Sequence, residues 1–171
     1  METTPNPKLY VLKRPATRSQ VLDELAAMPG HLTKALEGAS KPALIASPGE
    51  HDWSAFQTLL HFRDATLVYA IRFRWIVFND DPFLPDYDEN NWVASARDTV
   101  EDIPAILNEI AASRADLVRV LSRLPDEAWL RSGRHEAMGP VILEHYARHQ
   151  VVHEEMHIAQ IVGALSLAQP R

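Results

Sequence analysis

His145, His149, His153 and His157 follow one another at steps of four residues near the end of a 171-residue chain. On an α-helix each such step turns the side chain by about 40°, so neighbours share a face while the outer two lie about 120° apart. One metal ion can therefore use two adjacent members but not all four. His153 and His157 are the best pair, because their stripe continues into Ile161 and is flanked by Gln160 and Ala164, a face turned toward a packed interior. Imidazole is the commonest metal ligand and also a common polar core residue, so the pair alone does not decide between the two. A third ligand must come from upstream. His61, between Leu60 and Phe62 with Asp64 three residues later, is the leading candidate. Three imidazoles from two helices would leave positions open for water or substrate.

Two better-known metal patterns fit poorly. His153-Glu154-Glu155-Met156-His157 matches H-E-x-x-H, in which Glu154 would act as general base. That pattern draws a third ligand from downstream, and residues 158–171 contain no His, Asp, Glu or Cys. A carboxylate-bridged di-iron site needs two Glu-x-x-His motifs, and only Glu154 to His157 supplies one. Cysteine is absent altogether, which excludes disulfides, thiolate metal sites and cysteine nucleophiles. Any thiol in the chemistry must arrive from outside.

The elements that would position these groups are helical. Val21, Leu22, Leu25, Met28, Leu32 and Leu36 recur at helical spacing, with Pro29-Gly30 predicting a kink or a division into two short helices. Residues 38–50 read as a loop. Ser54 and Gln57 form a capping box that opens a second helix ending before the Asn79-Asp80-Asp81-Pro82 break, and residues 80–95 form a long acidic, aromatic connection. A third helix spans about 102–124 with Pro104 in its first turn, and residues 131–140 read as a loop. A last helix runs from Pro140 to about Leu167. No strand alternation stands out. Residues 1–16 read as an irregular arm and residues 17–171 as one all-α domain, an up-and-down-type four-helix bundle. Seventeen basic against 23 acidic residues, a net charge of −6, argue against nucleic-acid binding. No apolar run is long enough for a signal peptide or a membrane span, so a cytoplasmic location is expected.

Taken in order, Trp53-Ser54 with His61 and Asp64, Pro85-Asp86-Tyr87-Asp88 with Trp92, Leu124-Pro125-Asp126-Glu127 with Trp129, and His153, His157 and Gln160-Ile161 resemble the DinB-like four-helix-bundle family over nearly the whole chain. The resemblance implies one divalent metal per chain held by His61, His153 and His157. It also implies kinship with transferases that use low-molecular-weight thiols, and a homodimer. His145 and His149 are additions to the family pattern, as is Arg72, eleven residues after His61 and within about 20° on the same face.

The leading functional expectation is a metal-dependent transferase that activates an exogenous low-molecular-weight thiol toward an electrophile. Zinc is the default ion, and nickel, manganese and iron also accept imidazole. Asp64 is placed as an acceptor orienting a ligand or as a base, and Glu154 as an alternative base although helix phase turns it about 100° from His153. Arg72 is placed as an anchor for a substrate carboxylate, against the alternative of a salt bridge. Hydrolysis by a water of lowered pKa is the second reading, and a non-catalytic metal- or partner-binding bundle the third. Phe83, Tyr87 and Trp92 are candidates for a lid, and Ala159, Gly163, Ala164 and Ala168 for a packing or dimer surface. Trp53 and Trp129 are expected at helix ends, and His31, His51 and His135 in solvent.

Overall fold

The structure, a computed structural model, describes residues 17–94 and 102–168. The proposed arm at 1–16 lies outside the described residues. In chain order the elements are α1 (Arg18–Leu36), α2 (Lys41–Ile45), α3 (Ala55–Phe78), β1 (Phe83–Leu84), α4 (Glu89–Ala94), α5 (Ile103–Leu121), a 3₁₀ turn (Asp126–Leu130), β2 (Ser132–His135), β3 (Gly139–Ile142) and α6 (Leu143–Leu167). Four long helices, α1, α3, α5 and α6, form the bundle, with α3 and α1 each packed against both α5 and α6. Around the bundle the order is thus α1, α5, α3, α6, and the α1–α3 and α5–α6 connections cross its diagonals.

Local chemistry sets the helix ends. Thr17 and Ser54 each close a reciprocal capping box, with Gln20 and Gln57 respectively. Ser54 Oγ accepts from the Gln57 N–H at 3.2 Å, and Gln57 Oε1 accepts from the Ser54 N–H at 3.1 Å. Such a cap is worth about 1 kcal/mol and fixes the start of α3 two turns before His61. Pro29 does not divide α1, which runs unbroken through it. Leu25, Met28 and Leu32, all buried, hold the helix together across the missing backbone hydrogen bond.

Three expected loops carry structure. Residues 41–45 form α2, capped by Ser40. Residues 83–84 join the 132–142 hairpin in a three-stranded sheet, β1 parallel to β2 and β2 antiparallel to β3. Strands of two and four residues are too short to show a period-two pattern, which is why no alternation was legible. Gly133 allows this sheet to close on the bundle: a Cβ there would lie 3.1 Å from Ile76 Cγ1 and 3.1 Å from the Pro82 carbonyl. Gly139, with φ of 74°, turns the hairpin in the left-handed region that glycine tolerates. Among the described residues, no helix is long and apolar enough to cross a membrane.

Candidate metal centre

α3 and α6 lie side by side, and this contact brings His61 to the His153–His157 pair. His61 Nε2 is 3.5 Å from His153 Nε2, which is 3.1 Å from His157 Nε2. One nitrogen from each of the three rings lies within 4.8 Å of the others. A tetrahedral ion with metal–nitrogen bonds of about 2.0–2.1 Å separates its ligand nitrogens by about 3.3 Å. The two Nε2 separations bracket that value, so the residues fit one small divalent ion.

Their neighbours favour the ligating form. Gln160 Oε1 accepts from His157 Nδ1 at 3.0 Å, which leaves the lone pair on Nε2. His61 Nδ1 faces a Glu89 carboxylate oxygen at 3.8 Å, and Nε2 is again the inward atom. Burial holds His61 far below the ordinary histidine range, at about 3, and His157 nearby adds to the effect. Burial also lowers His157, against the pull of its Gln160 hydrogen bond. Both rings are neutral at neutral pH, the state a metal requires. Trp53 packs on this group, 4.8 Å from the His61 ring and stacked 6.3 Å from His157, with Nε1 donating to Asn90 Oδ1. Its place at the end of α3 was legible in the sequence; its contact with the histidines was not.

Beside the histidines opens a cavity of about 520 Å³, whose wall includes His61, His153, Arg72, Tyr87, Tyr146 and His149. Arg72 is buried and donates to Tyr146 Oη at 2.9 Å and to the Pro85 carbonyl, with Asp86 at 3.5 Å. Tyr69 Oη and His149 Nδ1 share a hydrogen bond of 2.8 Å on the same wall. Burial raises the Tyr146 phenol to about 12, against the pull of Arg72, so it keeps its proton. Tyr87 and Trp92 pack with their rings tilted and 4.6 Å apart, and Tyr87 stacks over His61 at 6.5 Å. Of the three lid candidates only Tyr87 lines the cavity; Phe83 and Trp92 do not.

A profile of the DinB superfamily matches residues 11–161. The chain belongs to that superfamily. Among solved structures it is similar to YfiT from Bacillus subtilis, described as a probable metal-dependent hydrolase with an unusual four-helix bundle topology. The two are 22% identical over 88% of this chain and 89% of that one, with a TM-score of 0.81, which shows a shared fold. None of the curated proteins matches.

In this DinB chain the two carboxylates singled out as bases face arginines. Asp64 is buried and its Oδ1 accepts from Arg63 Nε at 2.9 Å. Glu154, 1% exposed, is bonded to Arg114 and accepts from Gln150 Nε2 at 2.8 Å, and neither carboxylate lines the cavity. Burial pushes Glu154 up, against Arg114 and Gln150. His145 is exposed.

His135 corrects the expectation of a solvent position: it is buried and lines the cavity from β2. Its Nδ1 accepts backbone N–H groups of Ala137 at 3.2 Å and Met138 at 3.3 Å, which places the proton on Nε2. Burial lowers its pKa and Arg72 adds to this, while Asp86 and Glu136 oppose it. Below pH 6.5 the unfolded chain takes up a proton that the folded one resists, so this residue's contribution makes stability fall with pH. The His135→Asn variant keeps an acceptor for both N–H groups and cannot titrate. Thermal melts between pH 7 and 5 should show a shallower decline for it than for the parent chain; parallel curves would contradict this.

Proposed function

We propose that this DinB protein is a metal-dependent enzyme that binds one divalent ion through His61, His153 and His157 and activates an exogenous low-molecular-weight thiol toward an electrophile. The carrying observation is the convergence of three imidazole nitrogens at a cavity large enough for a small substrate. Zinc suits three neutral imidazoles with an open position. When bound, the ion would supply Lewis acidity that lowers the pKa of a thiol or water. Asp64 and Glu154 are bonded to arginines and stand off the cavity wall, so neither is assigned the role of base, whereas Glu89, 3.8 Å from His61 Nδ1, lines the cavity. The hydrolytic reading is favoured by the fold shared with YfiT.

Within the cavity, Arg72, the Tyr146 hydroxyl and His135 Nε2 supply hydrogen-bond donors suited to a substrate carboxylate. Asp86, half-exposed, can turn away from Arg72 as that carboxylate enters. Tyr87, with Trp92 packed behind it, acts as a cover that limits water around His61. A charge-assisted hydrogen bond contributes about 1.5–3 kcal/mol. Arg72→Gln should therefore raise KM for a carboxylate-bearing substrate by roughly 10- to 100-fold with metal content unchanged. An unaltered KM would remove Arg72 from substrate binding.

Cobalt-substituted protein separates the readings. Titration with several small thiols should bring up a sulfur-to-cobalt charge-transfer band, and a labelled electrophile should be consumed only when thiol is present. An unchanged spectrum together with turnover of esters or amides would replace the thiol reading with the hydrolytic one. An unchanged spectrum and no turnover would leave a non-catalytic metal-binding bundle.

A further inference from the structure

His61 and His157 are unequally supported on their outer sides. His157 Nδ1 has the neutral amide oxygen of Gln160 at 3.0 Å. His61 is 1% exposed, and among the described residues its Nδ1 has no hydrogen-bond partner. Once Nε2 offers its lone pair to an ion, Nδ1 must carry the ring proton, and a buried N–H without an acceptor forfeits its hydration. The acceptor that this nitrogen faces is Glu89 Oε2, at 3.8 Å. Neighbouring side chains hold Glu89 there. It opens α4, whose first turn is closed by Asp88 Oδ1 accepting from the Asn91 N–H at 3.0 Å. Asn90 Oδ1 receives the Trp53 indole N–H at 3.1 Å, Val93 is buried in the core, and Tyr87 stacks over His61. α4 is thus fastened against α3 on both sides of Glu89. The Glu89 side chain itself is 51% exposed, so it can rotate, and about 1 Å of travel brings it to the distance of a charge-assisted hydrogen bond.

We propose that Glu89 is the positioning residue for His61: its carboxylate accepts the Nδ1 proton and so fixes the ring with Nε2 toward the ion. This role rests on the three-histidine site proposed above and adds to it the group that orients the α3 ligand. A carboxylate is a stronger acceptor than the Gln160 amide, so it makes His61 the more basic of the two ligands. Two other roles fit the geometry less well. Glu89 stands outside the set of ligand atoms that lie within 4.8 Å of one another, so it is not a fourth ligand. Its oxygen addresses the ring nitrogen turned away from the other two histidines. That approach suits orienting the ring better than taking a proton from a molecule in the cavity.

Zinc affinity of the full chain, measured by competition with a chromogenic chelator, tests this without any substrate. Glu89→Gln should weaken zinc binding roughly 10- to 100-fold with an unchanged circular dichroism spectrum. Glu155→Gln removes the same charge from an exposed position on α6. It should change affinity by no more than about twofold, because exposed charges are screened. Proton–nitrogen correlation NMR of the imidazole rings supplies a second readout, one that a merely structural role would not move. In the zinc-loaded parent the His61 Nδ1 proton should be shifted downfield and exchange slowly; in Glu89→Gln it should move upfield and exchange faster. A parent chain that binds zinc through His153, with Glu89→Gln equal to it in affinity and in the His61 signal, would overturn this role alone. Loss of turnover in that same variant would then make Glu89 a base instead. A parent chain that binds no zinc would overturn the three-histidine site and this role together.

Discussion

Replacing His153 by alanine is expected to take the metal content of untagged protein from about one ion per chain to less than a tenth. His153 is the middle member of the group, with its Nε2 3.5 Å from that of His61 and 3.1 Å from that of His157. Its removal leaves two imidazoles on different helices. Structural zinc sites with four ligands bind with about 10–16 kcal/mol, so losing one ligand corresponds to roughly a hundredfold or more in affinity. His149→Ala is the informative control. That ring stacks 6.1 Å from His153 but belongs to the cavity wall and the Tyr69 hydrogen bond, so this variant should keep its metal. Mass-spectrometric metal analysis of both proteins after zinc loading decides the matter. Full occupancy in His153→Ala would rule out the three-histidine site.

The second large effect is on stability. Arg114 of α5 and Glu154 of α6, each 1% exposed, are bonded to one another across the interior of the bundle, with Gln150 and Thr66 as further neighbours. Removing one member of a buried ion pair strands the other charge and costs about 3–5 kcal/mol. Arg114→Met should therefore lower the melting temperature by roughly 10 °C at pH 7. The deficit should shrink toward pH 5: burial without a counter-charge raises the Glu154 pKa further, so protonation at lower pH relieves the penalty. Adding Glu154→Gln to Arg114→Met should recover much of the loss, since both partners are then neutral. Additive destabilisation in the double variant, read by thermal melts across pH, would show that the two residues act independently. Glu154 lies between His153 and His157 in sequence, so this pair also sets the rotation of α6 about its axis.

That rotation explains why Glu154, a candidate base in the sequence, is the partner of an arginine. Spacing along one helix says which residues share a face, but not which neighbour the face meets. Arg114 is 40 residues from Glu154, and no local pattern links them. His135 and Trp53 escaped for a related reason. One is buried by a sheet whose strands are too short for periodicity, and the other reaches the histidines only because α3 and α6 are adjacent.

The sequence by itself determined the four long helices, the Ser54–Gln57 cap, the shared face of His153 and His157 and the nomination of His61, because hydrophobic period, capping and i, i+4 geometry act within a few residues. Tertiary structure decided that three imidazole nitrogens converge, that Arg72 lines the cavity with Tyr146 and His135, and that Leu67, Ile71, Trp75 and Phe78 stay in solvent. α3 is apolar around most of its circumference, so its sequence carries almost no signal of helix phase. Only packing against α5 and α6 selects which side is covered, and with it the site and the open face.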